Sequence, residues 1–199
     1  EQVEAWKKAV KKWEADGKPG KKPRKPQKPK ELPKLTIEEL NRLPILQNGA
    51  KWEKLGNISD ILGGVTKGRK LNGKNTINIP YLRVANVQDG FLSLKEIKTI
   101  SIPKEEEFKY KLRKGDVLYT EGGDKDKLGR GSVWKNQIPR CIFQNHIFRA
   151  RLPKELILPV FISYYSQSSI AKGYFFKNAK QTVNLASINM TILSNLPIP

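Results

Sequence analysis

A run of lysines and prolines near the start of the chain most constrains how it can fold. In "GKPGKKPRKPQKPK", residues 17–30, a proline stands at about every third position. Repeated proline removes backbone donors and disfavours helix, so this segment is predicted to be extended and semi-rigid. We therefore assign residues 17–34 to a Lys/Pro-rich linker that separates a short N-terminal element from a larger body.

The segment before the linker has the spacing of an amphipathic helix. Val3, Trp6, Val10 and Trp13 are separated by three, four and three positions and fall on one stripe. Most of the lysines lie off that stripe. We assign residues 1–16 to an amphipathic helix, and we expect its tryptophans to pack against another helix.

Residues 35–199 are assigned to a single α+β domain with a twisted, mostly antiparallel β-sheet and a few helices. Thr36 and Glu39 form the capping-box pattern of a short helix that ends before Pro44. Pro159 predicts the start of a helix that continues to Ala171. Strands are predicted from three apolar runs: "INIPYLRV" (77–84), in which Pro80 indicates an edge strand, the run that ends near Thr120, and "CIFQNHIFRARL" (141–152).

The net charge of +19 is not confined to the linker. Residues 1–34 hold 12 Lys or Arg against 5 Asp or Glu, a net of +7, so the rest of the chain keeps +12. This surplus favours a polyanionic partner, nucleic acid before a membrane. The longest apolar run, residues 156–165, is too short to span a bilayer, and a single cysteine fits a reducing compartment. We expect a soluble, cytoplasmic protein with no membrane partner.

The chain offers few residues for catalysis. Its one cysteine and one histidine, Cys141 and His146, are five positions apart on a predicted strand and so point to opposite faces. A zinc site and Cys–His or Ser–His catalysis are therefore disfavoured. A metal-dependent nuclease stays open as an alternative, because Asp89, Glu96 and Lys98 match a short acid, acid-x-Lys pattern.

Two glycine-broken basic loops, residues 63–75 and 123–131, are the best candidates for a binding surface. Lys and Arg in such loops can bind phosphates, and Arg and Asn can also reach base edges. The candidate DNA-binding residues are Lys67, Arg69, Lys70, Lys74, Asn75, Lys125, Lys127, Arg130, Lys135 and Arg140. A second open alternative is a non-specific single-strand binder that stacks bases on Tyr81, Trp134 and Tyr174.

The stretch "IPYLRVANVQDGFLSL", residues 79–94, is polar where it leaves the predicted strand. Asp89-Gly90 is a turn signal, and Asn86 and Gln88 are predicted to close that turn. Strand alternation places Leu82 and Val84 on one face and Tyr81, Arg83 and Ala85 on the other. Arg83 keeps two interpretations: it faces DNA, or it pairs with an acid inside the fold.

Five ordered blocks resemble a known family. They are "LPILQNGAKWEKLGNI" (43–58), "IPYLRVANVQDGFLSLKEI" (79–97), "LRKGDVLYTEGGDKDKLGRGSVW" (112–134), "FQNHIFRARL" (143–152) and "QTVNLASINMTILSNLPIP" (181–199). From about residue 40 onward the chain is similar to a target recognition domain of the DNA-specificity subunit of type I restriction–modification systems. Ala50 departs from the pattern, because the family commonly has a tryptophan there.

The resemblance implies a function that composition does not show. Specificity subunits hold two recognition domains separated by helical spacers, and each domain reads half of a bipartite double-stranded DNA target. Methyltransferase (modification) subunits supply S-adenosylmethionine and methylate adenine, and a motor-nuclease (restriction) subunit joins them for restriction. The resemblance thus implies a non-catalytic DNA-recognition chain that holds no cofactor itself. The helix at residues 1–16 would be the end of a spacer helix.

Overall fold

The computed structural model describes residues 2–18, 22–23, 31–73, 75–123, 128–153, 157–183 and 185–199. The chain divides into two units, Glu1–Glu31 and Leu32–Pro199. The first unit contains helix α1 (Gln2–Ala15), where the tryptophan stripe predicts a helix. Trp6 donates its indole N–H to the carbonyl oxygen of Pro23 at 3.0 Å, and the Lys22 ammonium lies 5.8 Å from the centre of the Trp13 ring. Both tryptophans thus contact the start of the Lys/Pro-rich segment, most of which lies outside the described residues.

The second unit mixes short helices and short strands. Its helices are α2 (Ile37–Leu40), α3 (Leu55–Ile58), α4 (Glu107–Tyr110), α5 (Pro159–Ser166), α6 (Ser169–Asn178) and α7 (Met190–Ser194). Its strands are β1 (Glu53–Lys54), β2 (Asp60–Gly63), β3 (Thr76–Leu82), β4 (Lys98–Pro103), β5 (Val117–Thr120), β6 (Gly122–Gly123), β7 (Gly131–Val133), β8 (Ile142–Phe143), β9 (Ile147–Arg151), β10 (Lys180–Gln181), β11 (Ala186–Ser187) and β12 (Pro197–Ile198). The predicted α+β class is confirmed.

A four-stranded antiparallel sheet in the order β2-β9-β5-β7 forms the centre of this unit. Gly63 pairs with Phe148, Thr120 pairs with Ile147, and Tyr119 pairs with Gly131. As a result, β2 and β5 finish at the same end of the sheet at which β7 and β9 begin. We call this end the loop end, because both predicted basic loops leave from it.

The described residues form three smaller sheets besides the central one. Their orders are β4-β3-β8, β10-β11-β6 and β1-β12, and every pairing is antiparallel except that of β3 with β8. The prediction of mostly antiparallel strands is confirmed, although the strands form several sheets rather than one.

The central sheet separates two apolar clusters. Along β5, Val117 and Tyr119 belong to the cluster that includes Phe175 from α6, whereas Leu118 belongs to the cluster that includes Trp134. Such alternation follows from the period of a strand. Full burial of a large apolar side chain stabilises a fold by about 1.5–3 kcal/mol, so these layers hold the sheet that carries the loops.

Local capping and turn signals are confirmed by hydrogen bonds. The Glu39 backbone N–H donates to the Thr36 hydroxyl at 3.2 Å, and the Thr36 N–H donates to the Glu39 carboxylate at 2.7 Å. At the Asp89-Gly90 turn, the Gln88 N–H donates to the Phe91 carbonyl at 3.0 Å, and Gly90 has a φ of 82°. Glycine adopts this conformation without a steric penalty.

The predicted continuous strand at residues 141–152 is wrong. It is two strands, β8 and β9, separated by a turn in which the Ile147 N–H donates to the Gln144 carbonyl at 2.9 Å. Cys141 and His146 therefore do not share one strand. The polar Asn145-His146 pair breaks the apolar run, because each residue favours the surface over either core cluster.

The predicted helix from Pro159 to Ala171 is also interrupted. Helix α5 ends at Ser166, and α6 begins after Ser168, whose hydroxyl accepts from the Ala171 N–H at 3.3 Å. Serine at an N-cap satisfies a backbone donor that the helix leaves without a partner. The chain therefore starts a second helix instead of extending the first.

The edge position predicted for β3 is wrong, because β3 lies between β4 and β8. Pro80 is tolerated because the pairing with β8 begins only at Tyr81, so Pro80 pairs with Thr99 of β4 alone. The strand ends at Leu82, and a 3₁₀ turn at Val84–Asn86 follows it. The predicted alternation of faces therefore stops before Val84.

Candidate nucleic-acid interface

Both basic loops are tied to one turn at the loop end of the central sheet. We call Gln144–His146 the anchor turn. The Val65 N–H donates to the Phe143 carbonyl at 2.8 Å, and the Asn145 N–H donates to the Val65 carbonyl at 3.0 Å. On the other side, the Glu121 N–H donates to the His146 carbonyl at 2.9 Å. The anchor turn thus lies between the beginnings of the two loops.

Gly64 allows the first loop to lie this close to the anchor turn. A Cβ atom at this position would lie 2.2 Å from the carbonyl oxygen of Phe143 and 2.4 Å from that of Gln144. Both atoms belong to the backbone and cannot rotate away. Only glycine therefore fits the present path of the chain between β2 and the first loop.

Asn145 and His146 place exposed polar groups between the loops. The His146 Nδ1 bonds to the Glu121 carboxylate, and its Nε2 lies 3.4 Å from the Asn145 side-chain amide. A carboxylate on Nδ1 keeps the proton on that nitrogen, so in the neutral ring Nε2 is an acceptor. Neither residue is among the predicted DNA-binding residues. The signal that could have found them is the polar "QNH" inside an apolar run.

The described part of the first loop, residues 63–75, carries one arginine bound to a carboxylate and two exposed lysines. Arg69 binds the Glu106 carboxylate at 2.8 and 3.2 Å, and this contact raises the pKa of the Arg69 guanidinium. Lys67 and Lys70 are exposed, and the structure shows no carboxylate bound to them among the described residues. Asn75 is exposed at the end of the loop, where its carbonyl accepts from the Lys104 N–H. The candidate Lys74 lies outside the described residues.

The second loop returns to the sheet at Arg130. The Thr120 N–H donates to the Arg130 carbonyl at 3.0 Å, so this residue stands at the loop end. Its side chain donates from Nη1 to the Gln88 side-chain oxygen at 3.0 Å. The Gly90 N–H also donates to the Gly131 carbonyl at 2.9 Å. The turn around Asp89-Gly90 therefore supports the end of the second loop, whereas Lys125 and Lys127 lie outside the described residues.

The remaining two candidates lie outside the two loops. Lys135 is exposed and follows Trp134. The backbone N–H of Trp134 donates to the Asp116 carbonyl, which places both residues at the end of the central sheet opposite the loop end. Arg140 binds the Glu107 carboxylate at 2.8 and 2.9 Å, which raises the pKa of Arg140 and lowers that of Glu107. The structure therefore brings Arg130 and the start of the loop that carries Lys67 and Lys70 to the loop end, whereas Lys135 lies at the opposite end.

The carboxylates proposed for a nuclease are bound to separate cations. Asp89 accepts from Lys172 at 2.6 Å. Glu96 lies 3.2 Å from Arg83 and 3.4 Å from Lys98, and its pKa is lowered chiefly by Arg83. Arg83 thus pairs with a carboxylate of the same domain, which favours the second of its two interpretations, pairing with an acid, over a side chain that faces DNA. Within the described residues, no three His, Cys, Asp or Glu side chains are grouped so that they could hold a metal ion.

Two of the three aromatic residues proposed for single-strand stacking are buried. Trp134 is fully buried and Tyr81 is buried, while the half-buried Tyr174 donates its hydroxyl to the Ile192 carbonyl at 2.9 Å. A stacking platform needs exposed rings, so this prediction is wrong for Trp134 and Tyr81. No described helix is long and apolar enough to cross a membrane.

Comparison with known proteins places the chain beside type I specificity subunits. It is 26% identical over 150 residues to a putative type I restriction enzyme MjaX specificity subunit of Methanocaldococcus jannaschii, covering 74% of this chain and 35% of that protein. It is 29% identical over 140 residues to the type I restriction enzyme StySPI specificity subunit of Salmonella potsdam, covering 70% of this chain and 30% of that protein. The chain therefore spans about a third of the length of the curated relatives it matches. No protein-family model matches it.

A solved structure shares the fold. It was described under "Structural basis underlying complex assembly and conformational transition of the type I R-M system", and it superposes with a TM-score of 0.51 at 20% identity. The match covers 78% of this chain and 35% of the other. At this level of identity the likeness concerns the fold alone.

Proposed function

We propose that this chain, which matches the target-recognition portion of type I restriction–modification specificity subunits as its motifs indicated, binds a specific sequence of double-stranded DNA. In this proposal it directs adenine methylation and restriction that are carried out by partner subunits. The methyltransferase subunits hold S-adenosylmethionine, and a motor-nuclease subunit acts on the DNA. The present chain contributes recognition and no chemistry, and it works in the cytoplasm.

The observation that carries this proposal is the convergence of the two basic loops on the anchor turn. Lys67 and Lys70 offer exposed ammonium groups, and Arg130 offers a guanidinium at the same end of the sheet. Between the loops, Asn145 and His146 add amide and imidazole groups that can contact base edges. Protein–DNA interfaces combine these two kinds of contact: phosphate contacts that set position and base contacts that set sequence.

The arrangement of acids distinguishes two paired arginines from the exposed lysines of the first loop. Arg69 and Arg140 are bound to the consecutive glutamates Glu106 and Glu107. Their charge is largely neutralised, so we propose that they shape the fold around the first loop more than they bind phosphate. The exposed lysines keep their charge. We therefore expect Lys67 and Lys70 to contribute more to DNA affinity than Arg69 and Arg140.

A selection from random-sequence duplex DNA tests the proposal without knowledge of the target. The full chain, alone and together with its methyltransferase subunits, is mixed with the pool at several salt concentrations, and the bound DNA is sequenced. The logarithm of the affinity should fall linearly with the logarithm of the salt concentration, with a slope of about −0.9 for each phosphate neutralised.

Lysine variants then locate the interface. Lys67→Ala and Lys70→Ala should each reduce the magnitude of the salt slope by about 0.9 and leave the selected sequence unchanged. Lys114→Ala is the matched control, because this exposed lysine precedes β5 at the opposite end of the central sheet. Binding that ignores salt, in the chain and in the complex alike, would refute the proposed function. Equal effects of all three variants would refute the location.

A further inference from the structure

Arg130 differs from the other described arginines of the second unit in the group that holds its guanidinium. Carboxylates bind six of them, in the pairs Arg42–Glu38, Arg69–Glu106, Arg83–Glu96, Arg140–Glu107, Arg149–Asp60 and Arg151–Asp116. Arg113 lies over the Phe108 ring, 5.3 Å from its centre. Arg130 instead donates to the neutral side-chain amide of Gln88. Its positive charge is therefore held in place without being neutralised by that contact.

Gln88 is fixed by its own hydrogen bonds. Its side-chain NH₂ donates to the Ala85 carbonyl at 2.8 Å, which leaves the amide oxygen facing Arg130. Its backbone N–H donates to the Phe91 carbonyl, and neighbouring Asn86 is buried and donates to the Ser93 and Glu96 carbonyls. A turn secured in this way holds the Gln88 oxygen at a defined position. That position in turn orients one edge of the Arg130 guanidinium.

Among the described residues, the structure shows no partner for the remaining side-chain donors of Arg130, so these donors can meet a ligand. A guanidinium has five N–H groups in a planar fork, and the contact with Gln88 uses one side of Nη1. None of the other side-chain nitrogens of Arg130 is buried without a partner, and the residue is partly exposed at the loop end. An arginine held in this way has already lost much of its rotational freedom, so less is lost when it binds.

We infer that Arg130 reads a guanine in the major groove and that Gln88 is the residue that positions it. The guanine O6 and N7 atoms are both acceptors, and their spacing matches the fork of an arginine. A carboxylate partner would compete with the base for the same donors, whereas a neutral amide oxygen occupies one donor and leaves the charge available. The inference rests on the proposed function, because it names the base contacted at the proposed DNA interface.

The same selection from random duplex DNA tests the inference with four variants. The wild-type chain should select a sequence with guanine strongly preferred at one position. Arg130→Ala and Arg130→Lys should both lose that preference by roughly 5- to 150-fold, because lysine keeps the charge but lacks the planar fork. Gln88→Ala should weaken the preference at the same position and leave the salt slope unchanged. Gln88→Glu should also weaken it, because the new carboxylate would pair with Arg130.

Arg42→Ala is the matched control, since it removes the same charge from an exposed arginine that is bound to Glu38 and is not a candidate DNA-binding residue. Its selected sequence should equal that of the wild type, and thermal unfolding checks that every variant is folded. A guanine preference that survives in Arg130→Lys, or affinity lost equally for all sequences, would overturn the inference and leave the proposed function standing. Failure of the wild-type chain and its complex to select any sequence would overturn both.

Discussion

Replacing Gly64 by alanine should loosen the attachment of the first loop to the anchor turn. The added methyl group would lie 2.2 Å from the Phe143 oxygen and 2.4 Å from the Gln144 oxygen, far inside van der Waals contact. This clash can be relieved only if the backbone moves, and overpacking of this kind lowers the stability of a protein by about 1–3 kcal/mol. The Phe143 oxygen also accepts the Val65 N–H at 2.8 Å, and weakening that bond adds roughly 0.5–1.5 kcal/mol. The expected loss of unfolding free energy is therefore about 1.5–4.5 kcal/mol.

Urea unfolding, followed through tryptophan fluorescence, measures this loss, since Trp134 is fully buried next to the central sheet. Gly173→Ala is the matched control. Gly173 lies within α6, and a Cβ there would meet no atom within 4 Å. That variant should be more stable than the wild type by about 0.5–1 kcal/mol, because alanine favours helix over glycine. If Gly64→Ala unfolds at the same urea concentration as the wild type, the close approach does not constrain the loop as we argue.

Two further predictions concern the fold around the site. Cys141 is buried, and burial raises the pKa of its thiol to about 12. A thiol-specific reagent at pH 8 should therefore leave the native protein unmodified and label one thiol per chain in urea. Rapid labelling of the folded protein would contradict the burial. Ser168→Ala should lower the unfolding free energy by about 1 kcal/mol, because the Ala171 N–H loses its acceptor. Ser168→Asp should retain most of the stability, since aspartate can also accept this hydrogen bond. Equal stabilities of the wild type and Ser168→Ala in thermal unfolding would show that the cap contributes nothing.

Features that depend on near neighbours in the sequence could be predicted. The capping box at Thr36 and Glu39 needs only residues three positions apart, and the turn at Asp89-Gly90 needs only a glycine that tolerates a positive φ. Ser168 carried a similar signal for the start of α6.

The arrangement of the site could not be predicted, because it depends on contacts between distant segments. Arg130 and Gln88 are 42 positions apart, and Arg69 and Glu106 are 37 apart. Nothing in the sequence tells which arginine meets a carboxylate and which meets an amide. The loop compositions identified Lys67, Lys70 and Arg130, but only the order of the central strands brings these loops to one end.

Residues at the base of the first loop and residues on its surface differ in how well they tolerate substitution. The anchor turn and Gly64 are packed against backbone atoms, so substitutions there disturb the sheet itself. Lys67 and Lys70 instead project from the surface and can change at little cost to stability, since exposed substitutions away from caps and ion pairs usually alter it by less than about 0.5 kcal/mol. On the proposed function, exchange of these lysines would change the affinity for DNA and leave the DNA target unchanged. Arg130 differs from these lysines, because its side chain is bound to Gln88. A change of the base contact that we infer for Arg130 would therefore also involve the turn that carries Gln88.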